Sequence, residues 1–91
     1  MITKEEAYKK AKEYLDKSNT QYITIDSDSI KLEENEVVSY GKNEGNKLNI
    51  FSVCFGQLWG MEERSMFVDI NADTGEILYI MTPHGYIDIK E

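Results

Sequence analysis

Residues 66–81 read Met-Phe-Val-Asp-Ile, then Asn-Ala-Asp-Thr-Gly, then Glu-Ile-Leu-Tyr-Ile-Met. Two runs rich in β-branched and aromatic side chains flank a cluster of turn formers, and Gly75 stands where a short hairpin loop needs a left-handed residue. The stretch reads as a β-hairpin. A lone hairpin is marginal in water, so further strands and a helix must cover one of its faces.

The helix is legible at the other end of the chain. Thr3 followed by Glu6 is a capping box, in which the threonine hydroxyl accepts from the Glu6 amide and the glutamate reaches back. Ala7, Ala11, Tyr14 and Leu15 then form one apolar stripe with Tyr8 at its edge, while Lys9, Lys10, Lys12 and Glu13 face away. Small alanines on the buried side let a helix approach a twisted sheet closely. Ser18-Asn19 ends the run at about Lys17.

Between these two signals lie shorter β runs. Residues 21–26 alternate, with Ile23 and Ile25 on one face and Tyr22 and Thr24 on the other, and Ser27-Asp28-Ser29 follows as a turn. Ile30-Lys31-Leu32 resumes the alternation, so a tight turn would make a first hairpin of the two. Glu33, Glu34 and Glu36 come next, at an exposed bend or edge strand where charge discourages edge-to-edge aggregation. Residues 37–40 form another brief run, and Gly41-Lys42-Asn43-Glu44-Gly45-Asn46 is the clearest loop. Residues 48–55 are the strongest strand by composition and belong at the centre, with Phe51, Val53 and Phe55 on one side and Ile50, Ser52 and Cys54 on the other.

Residues 56–65 read as a loop whose glycines bracket Leu58, Trp59 and Met61, side chains expected to tuck under the sheet end rather than be displayed. Thr82-Pro83-His84-Gly85 breaks the strand after the hairpin, and residues 86–89 alternate again as a final edge strand or a docked tail. The expectation is one α+β domain spanning residues 1–91, an N-terminal helix packed on an antiparallel sheet of about four to five strands. A chain of 91 residues has no room for a second domain.

Charge narrows the function classes. The net charge is −7 and is uneven: residues 1–20 carry +1, residues 21–56 carry −3 and residues 57–91 carry −5. Such a field repels phosphate backbones and anionic lipid and attracts basic partners, so neither nucleic acid nor membrane is expected as a ligand. Cys54 is the sole cysteine, which leaves no intrachain disulfide. The start Met-Ile-Thr-Lys-Glu-Glu has no signal-peptide pattern, and no apolar run approaches about 20 residues; the expected compartment is the cytoplasm.

Chemistry-bearing constellations are sparse. Asp69, Asn71 and Asp73 occupy the first, third and fifth positions of a calcium loop, but Thr74 stands at the sixth and Ile80 at the twelfth, where glycine and a bidentate glutamate are needed. Hairpin chemistry explains them better. His84, the only histidine, and Cys54 make no zinc set, and a catalytic Cys54–His84 pair would lack both a motif and an orienting acid. The glycines at 41, 45, 56, 60, 75 and 85 fit no phosphate-binding pattern, and Glu62-Glu63 near Glu76 is no more than abundant acid. No enzyme, cofactor or metal is expected.

An acidic and aromatic surface remains. Asp26, Asp28, Glu33, Glu34 and Glu36 would complement a basic protein, and Trp59 with Glu62 and Glu63 would add a second acidic patch with an aromatic anchor. The opening Ile-Thr-Lys-Glu-Glu-Ala-Tyr-Lys-Lys-Ala-Lys-Glu-Tyr-Leu and the closing Val-Asp-Ile-Asn-Ala-Asp-Thr-Gly-Glu-Ile-Leu resemble PepSY-type domains. They are similar also to small bacterial immunity proteins with the same opening helix and D-x-x-T-G-E-I hairpin. The likeness covers most of the chain in outline but not residues 33–65, and it carries over no catalytic residue.

PepSY-type resemblance implies a regulatory module acting on a peptidase or an envelope assembly, usually exported or membrane-anchored. Resemblance to immunity proteins implies a small, acidic, cytosolic inhibitor that binds one toxin domain and blocks its active site. The second suits a chain without an export signal. The expected function is a non-enzymatic inhibitor of a basic protein partner such as a nuclease toxin domain, acting as a monomer or weak homodimer.

Overall fold

A computed structural model describes residues 1–89. Helix α1 (Lys4–Lys17) starts at the predicted capping box, with the Thr3 hydroxyl 3.1 Å from the Glu6 amide and the Glu6 carboxylate 3.2 Å from the Thr3 amide. Its stripe of Ala7, Ala11 and Leu15 is fully buried. Six strands follow: β1 (Thr24–Ile25), β2 (Lys31–Val37), β3 (Lys47–Trp59), β4 (Glu62–Asn71), β5 (Ile77–Thr82) and β6 (Gly85–Ile87). All pair antiparallel in one sheet of order β1-β3-β4-β5-β6, with β2 also on β3.

The hairpin that decides the fold is β4–β5. The Asn71 side-chain oxygen accepts from the amides of Asp73 and Thr74 at 2.9 and 3.3 Å, and the Gly75 amide donates to the Asn71 carbonyl at 2.7 Å. Gly75 has φ +81°, and a Cβ there would lie 2.5 Å from the Lys10 side chain. The positive φ is what favours glycine at that position, since the end of the Lys10 side chain is free to shift. Within the pair, β5 bulges, because Asp69 faces Tyr79 while Ile70 faces Ile77.

Six strands exceed the expected four to five because one edge is split in two. No hairpin forms between residues 21–26 and 30–32: β1 lies opposite Phe55 and Gly56, β2 lies opposite residues 47–52, and the chain makes an excursion between them. The excursion is held by its inward residue, since Ile30 is buried in the main core. Strand pairing with β3 therefore outweighs the local turn tendency of Ser27-Asp28-Ser29.

Two apolar clusters sandwich the sheet. Under α1 lie Phe51, Val53 and Phe55 of β3, Met66, Val68 and Ile70 of β4, and Ile80 of β5, the alternation expected for the central strand. On the far face, the segment after β2 crosses one end of the sheet. Val38 is buried there with Ile50, Leu78 and Tyr79, and Tyr40 stacks on Tyr86 at 5.3 Å between ring centroids. Lys42 pins this crossing segment to β5's approach through a 2.9 Å ion pair with Glu76. The expected run over 37–40 thus ends as a strand at Val37 and continues as a cover. Among the described residues no helix is long and apolar enough to cross a membrane.

The largest departure is at residues 56–65. No loop forms there: β3 runs on to Trp59, β4 begins at Glu62, and a two-residue turn of Gly60 and Met61 joins them. Gly60 has φ +67° and Met61 does not share the positive φ, the pattern of a type II′ turn with glycine first. The tucked arrangement expected for Leu58 and Met61 is overturned, because alternation on a ribbon sends neighbours to opposite sides. Leu58 is 60% and Met61 100% exposed, whereas Trp59 packs partly against the core.

Candidate partner-binding face

The far face is covered at one end by the 38–46 segment and carries no helix elsewhere. Strand register sets its composition in rows. One row crosses four strands as Cys54, Phe67, Met81 and Tyr86, each opposite the next. The neighbouring row is Lys31, Ser52, Asp69 and Tyr79. The first is largely apolar and half-buried to exposed; the second is polar and closes around a buried carboxylate.

Asp69 is only 6% exposed. The Ser52 hydroxyl donates to its Oδ1 at 2.7 Å, and the Tyr79 hydroxyl also bonds to it. Burial pushes this carboxyl above the ordinary aspartate range, the two hydroxyls oppose the shift, and the charges of Glu33 and Glu36 add to it. Burial and then the Asp69 charge likewise push the Tyr79 phenol up, so it stays a donor at physiological pH. This satisfied trio fixes β3, β4 and β5 against one another on the side where α1 gives no support.

The predicted acids sort by face. Glu33 and Glu36 stand opposite Ile50 and Leu48 and are close enough to Asp69 to act on it electrostatically. Both flank a bulge in β2 that holds Glu34 and a left-handed Asn35 at φ +51°, so the two acids keep the same face across an extra residue. Asp26 lies at the end of the apolar row: its amide donates to the Cys54 carbonyl, and its charge acts on the Cys54 thiol. Hydrogen bonds from the Ser29 side chain and then the Asp28 backbone hold the Asp26 carboxyl below its ordinary range, which keeps it charged. Asp28 itself lies in the turn, as that 2.9 Å bond to Asp26 requires.

The second expected patch is split. Glu63 lies across Gly56, where a Cβ would meet its Oε1 at 2.7 Å, and so shares the far face with Cys54. Glu62 instead pairs with Arg64 at 2.6 Å, beside Trp59. Trp59 is gripped rather than displayed: it stacks on His84 at 5.4 Å and 18°, has the Arg64 guanidinium 6.0 Å from its ring centre, and donates its indole N–H to Gln57. It sits half-buried among these groups at the end of the β3–β4 ribbon, beside the turn. The ribbon's strand alternation, which separates Glu62 from Glu63, is the physical reason for the split.

The other constellations resolve into structure. His84 is held by Trp59 on the helix side, and Cys54 faces the opposite way, so the two are not brought together. Burial pushes the Cys54 thiol up, against a hydrogen bond with Ser65, which favours the weakly nucleophilic thiol over the thiolate. Asn71 serves the hairpin turn, and Asp73 accepts from Asn49 at 3.3 Å. Among the described residues no group of three or more His, Cys, Asp or Glu side chains converges as a metal site.

Asp69 was the member of this site that the residue pattern did not single out for such a role. A signal existed in the alternation of residues 66–70, which puts Asp69 beside Phe67 on the face opposite Met66, Val68 and Ile70. Comparison of the chain with protein-family models, with curated proteins and with solved structures finds no match.

Proposed function

We propose that this chain is a non-enzymatic binding protein of the bacterial immunity type, which neutralises a basic toxin domain by docking it on the far face of the sheet. One observation carries the reading: on the sheet face that α1 leaves open, Asp26 closes one end of a half-exposed apolar row, and Glu33 and Glu36 stand on the same face beyond the row of Lys31, Ser52, Asp69 and Tyr79. An apolar centre with a charged rim is how stable protein interfaces are built, and an acid rim selects a cationic partner. The chain's net charge of −7 adds long-range steering. A nuclease domain suits it, since a surface that grips phosphates is dense in Lys and Arg.

The test is affinity capture from a lysate of the native host at low and high salt, read by mass spectrometry. The reading requires a basic domain that is released by salt, lost on reversing Glu33, Glu34 and Glu36 to lysine, and toxic to cells unless this chain is co-expressed. Capture of a peptidase instead, or of a partner indifferent to the charge reversal, overturns it.

A further inference from the structure

We infer that the tip of the β3–β4 ribbon, Leu58 with Met61, is the apolar contact point of this interface. Its partner is a segment of the basic protein that carries apolar side chains among its cations. The inference rests on the far-face reading above and assigns to it residues that lie beyond the acid rim.

Turn chemistry does not account for Met61. A type II′ turn needs glycine at its first central position, which Gly60 provides, and the second is ordinarily Asn, Ser or Asp. Here it is a methionine that is wholly exposed, next to a leucine that is 60% exposed. The fold neither requires nor buries these two side chains, and both stand at the end of the ribbon.

The tip is also held in place. Pairing between β3 and β4 is unbroken to Trp59 opposite Glu62, and Trp59 is clamped by His84, Arg64 and Gln57. Gln57 in turn donates to the Gln21 carbonyl at 2.7 Å, tying the ribbon to the chain before β1. A preorganised apolar tip loses little conformational freedom when it is covered, which is the property of an interface anchor. Methionine adds an unbranched side chain that adapts to the surface it meets.

Charge and position identify what covers it. Leu58 lies on the far face, opposite Glu63, four residues along β3 from Cys54, or about 13 Å at strand spacing. A partner seated over Asp26 and the apolar row reaches it at the near end of the same surface, whereas Glu33, opposite Ile50, stands eight residues along β3 from Leu58, or about 26 Å. Glu62 and Glu63 border the tip. Glu62 is already paired with Arg64, so Glu63, on the same face as Leu58, is the acid that favours cations beside the partner's apolar groups.

Two synthetic peptides of equal length and charge serve as probes, one of Lys and Leu, the other of Lys and Ser, titrated into the full chain at low salt with methyl and amide signals followed by NMR. The Lys/Leu peptide is expected to move the Met61 and Leu58 methyl signals, and the Lys/Ser peptide only signals around Glu33 and Glu36. The double variant Leu58→Ser with Met61→Ser should bind the Lys/Leu peptide at least about tenfold more weakly and the Lys/Ser peptide as before. Equal binding of both peptides without movement at Met61, or unchanged affinity of the double variant, overturns the tip assignment and leaves the acid face standing. If neither peptide binds, or Glu33→Lys with Glu36→Lys changes nothing, the far-face reading falls too.

Discussion

The two faces of this sheet are built on different principles. Under α1 lies an apolar cluster: Phe51, Val53, Phe55, Met66, Val68, Ile70 and Ile80 meet Ala7, Ala11 and Leu15. The far face mixes apolar and ionisable groups, buries a carboxylate at Asp69, and is roofed only at one end by the 38–46 segment. The first face supplies the hydrophobic stabilisation, at about 1.5–3 kcal/mol for each large side chain removed from water. The second gives up part of that gain for a patterned surface. Stability thus resides mainly on one side of the sheet, and the proposed recognition on the other.

Substitutions test this division, and the largest effect belongs to the covered face. Phe55→Ala should destabilise the fold by about 3–5 kcal/mol, whereas Phe67→Ala, in the open row, should cost about 1 kcal/mol. Urea denaturation of both variants measures the contrast, and equal losses would break it. Ser52→Ala comes next, at about 1–3 kcal/mol, because it withdraws a hydrogen-bond donor from the buried Asp69 carboxylate. A loss near zero in the same measurement would remove the trio from its fixing role.

Asp69→Asn sharpens the comparison through pH. Burial is the main cause that lifts this carboxyl above the ordinary value of 3.8, so the folded state binds its proton more readily than the unfolded chain does. Stability from this group is therefore greatest below 3.8 and falls as pH rises from there through the raised folded value. Asp26 works with the opposite sign, since its lowered value makes stability fall as pH falls. Subtracting the Asp69→Asn profile from that of the wild type isolates the Asp69 contribution, which should decline with rising pH; a difference that climbs instead contradicts the assignment. The smallest effect is expected at the ribbon tip. Leu58→Ser with Met61→Ser should change unfolding free energy by no more than about 0.5 kcal/mol, as befits side chains the fold does not use.

How much of this was legible in the chain follows from the range of the interactions involved. Thr3 with Glu6, and Asn71 through Gly75, make bonds within a few residues of themselves, and both elements stand where the sequence puts them. The alternation of residues 48–55 is a local property too, and it gave the correct two faces of β3. The split edge was not legible, because β1 and β2 are placed by Phe55 and Ser52, far along the chain, rather than by the turn between them. The Gly60-Met61 turn was hidden for a different reason: it lacks the Asn or Asp that marks a tight hairpin, and the strand that leaves it opens on the polar run Glu62-Glu63-Arg64-Ser65. Glu62 and Glu63 then looked like one patch until the ribbon sent them to opposite sides. Asp69 looked like turn chemistry because its partners Ser52 and Tyr79 are supplied by two other strands.

The central claim is that a basic partner is recognised by a particular face and not merely by acidity. It is tested most directly by moving the same charge change between faces. Glu33→Lys with Glu36→Lys alters the open face, while Glu5→Lys with Glu13→Lys makes an equal change on the exposed side of α1. With the captured partner in hand, affinities are measured by calorimetry at one salt concentration. The account predicts that the β2 pair weakens binding at least about tenfold and that the α1 pair leaves it within about twofold. Equal weakening by both pairs would show that net charge alone governs the association, and would contradict it.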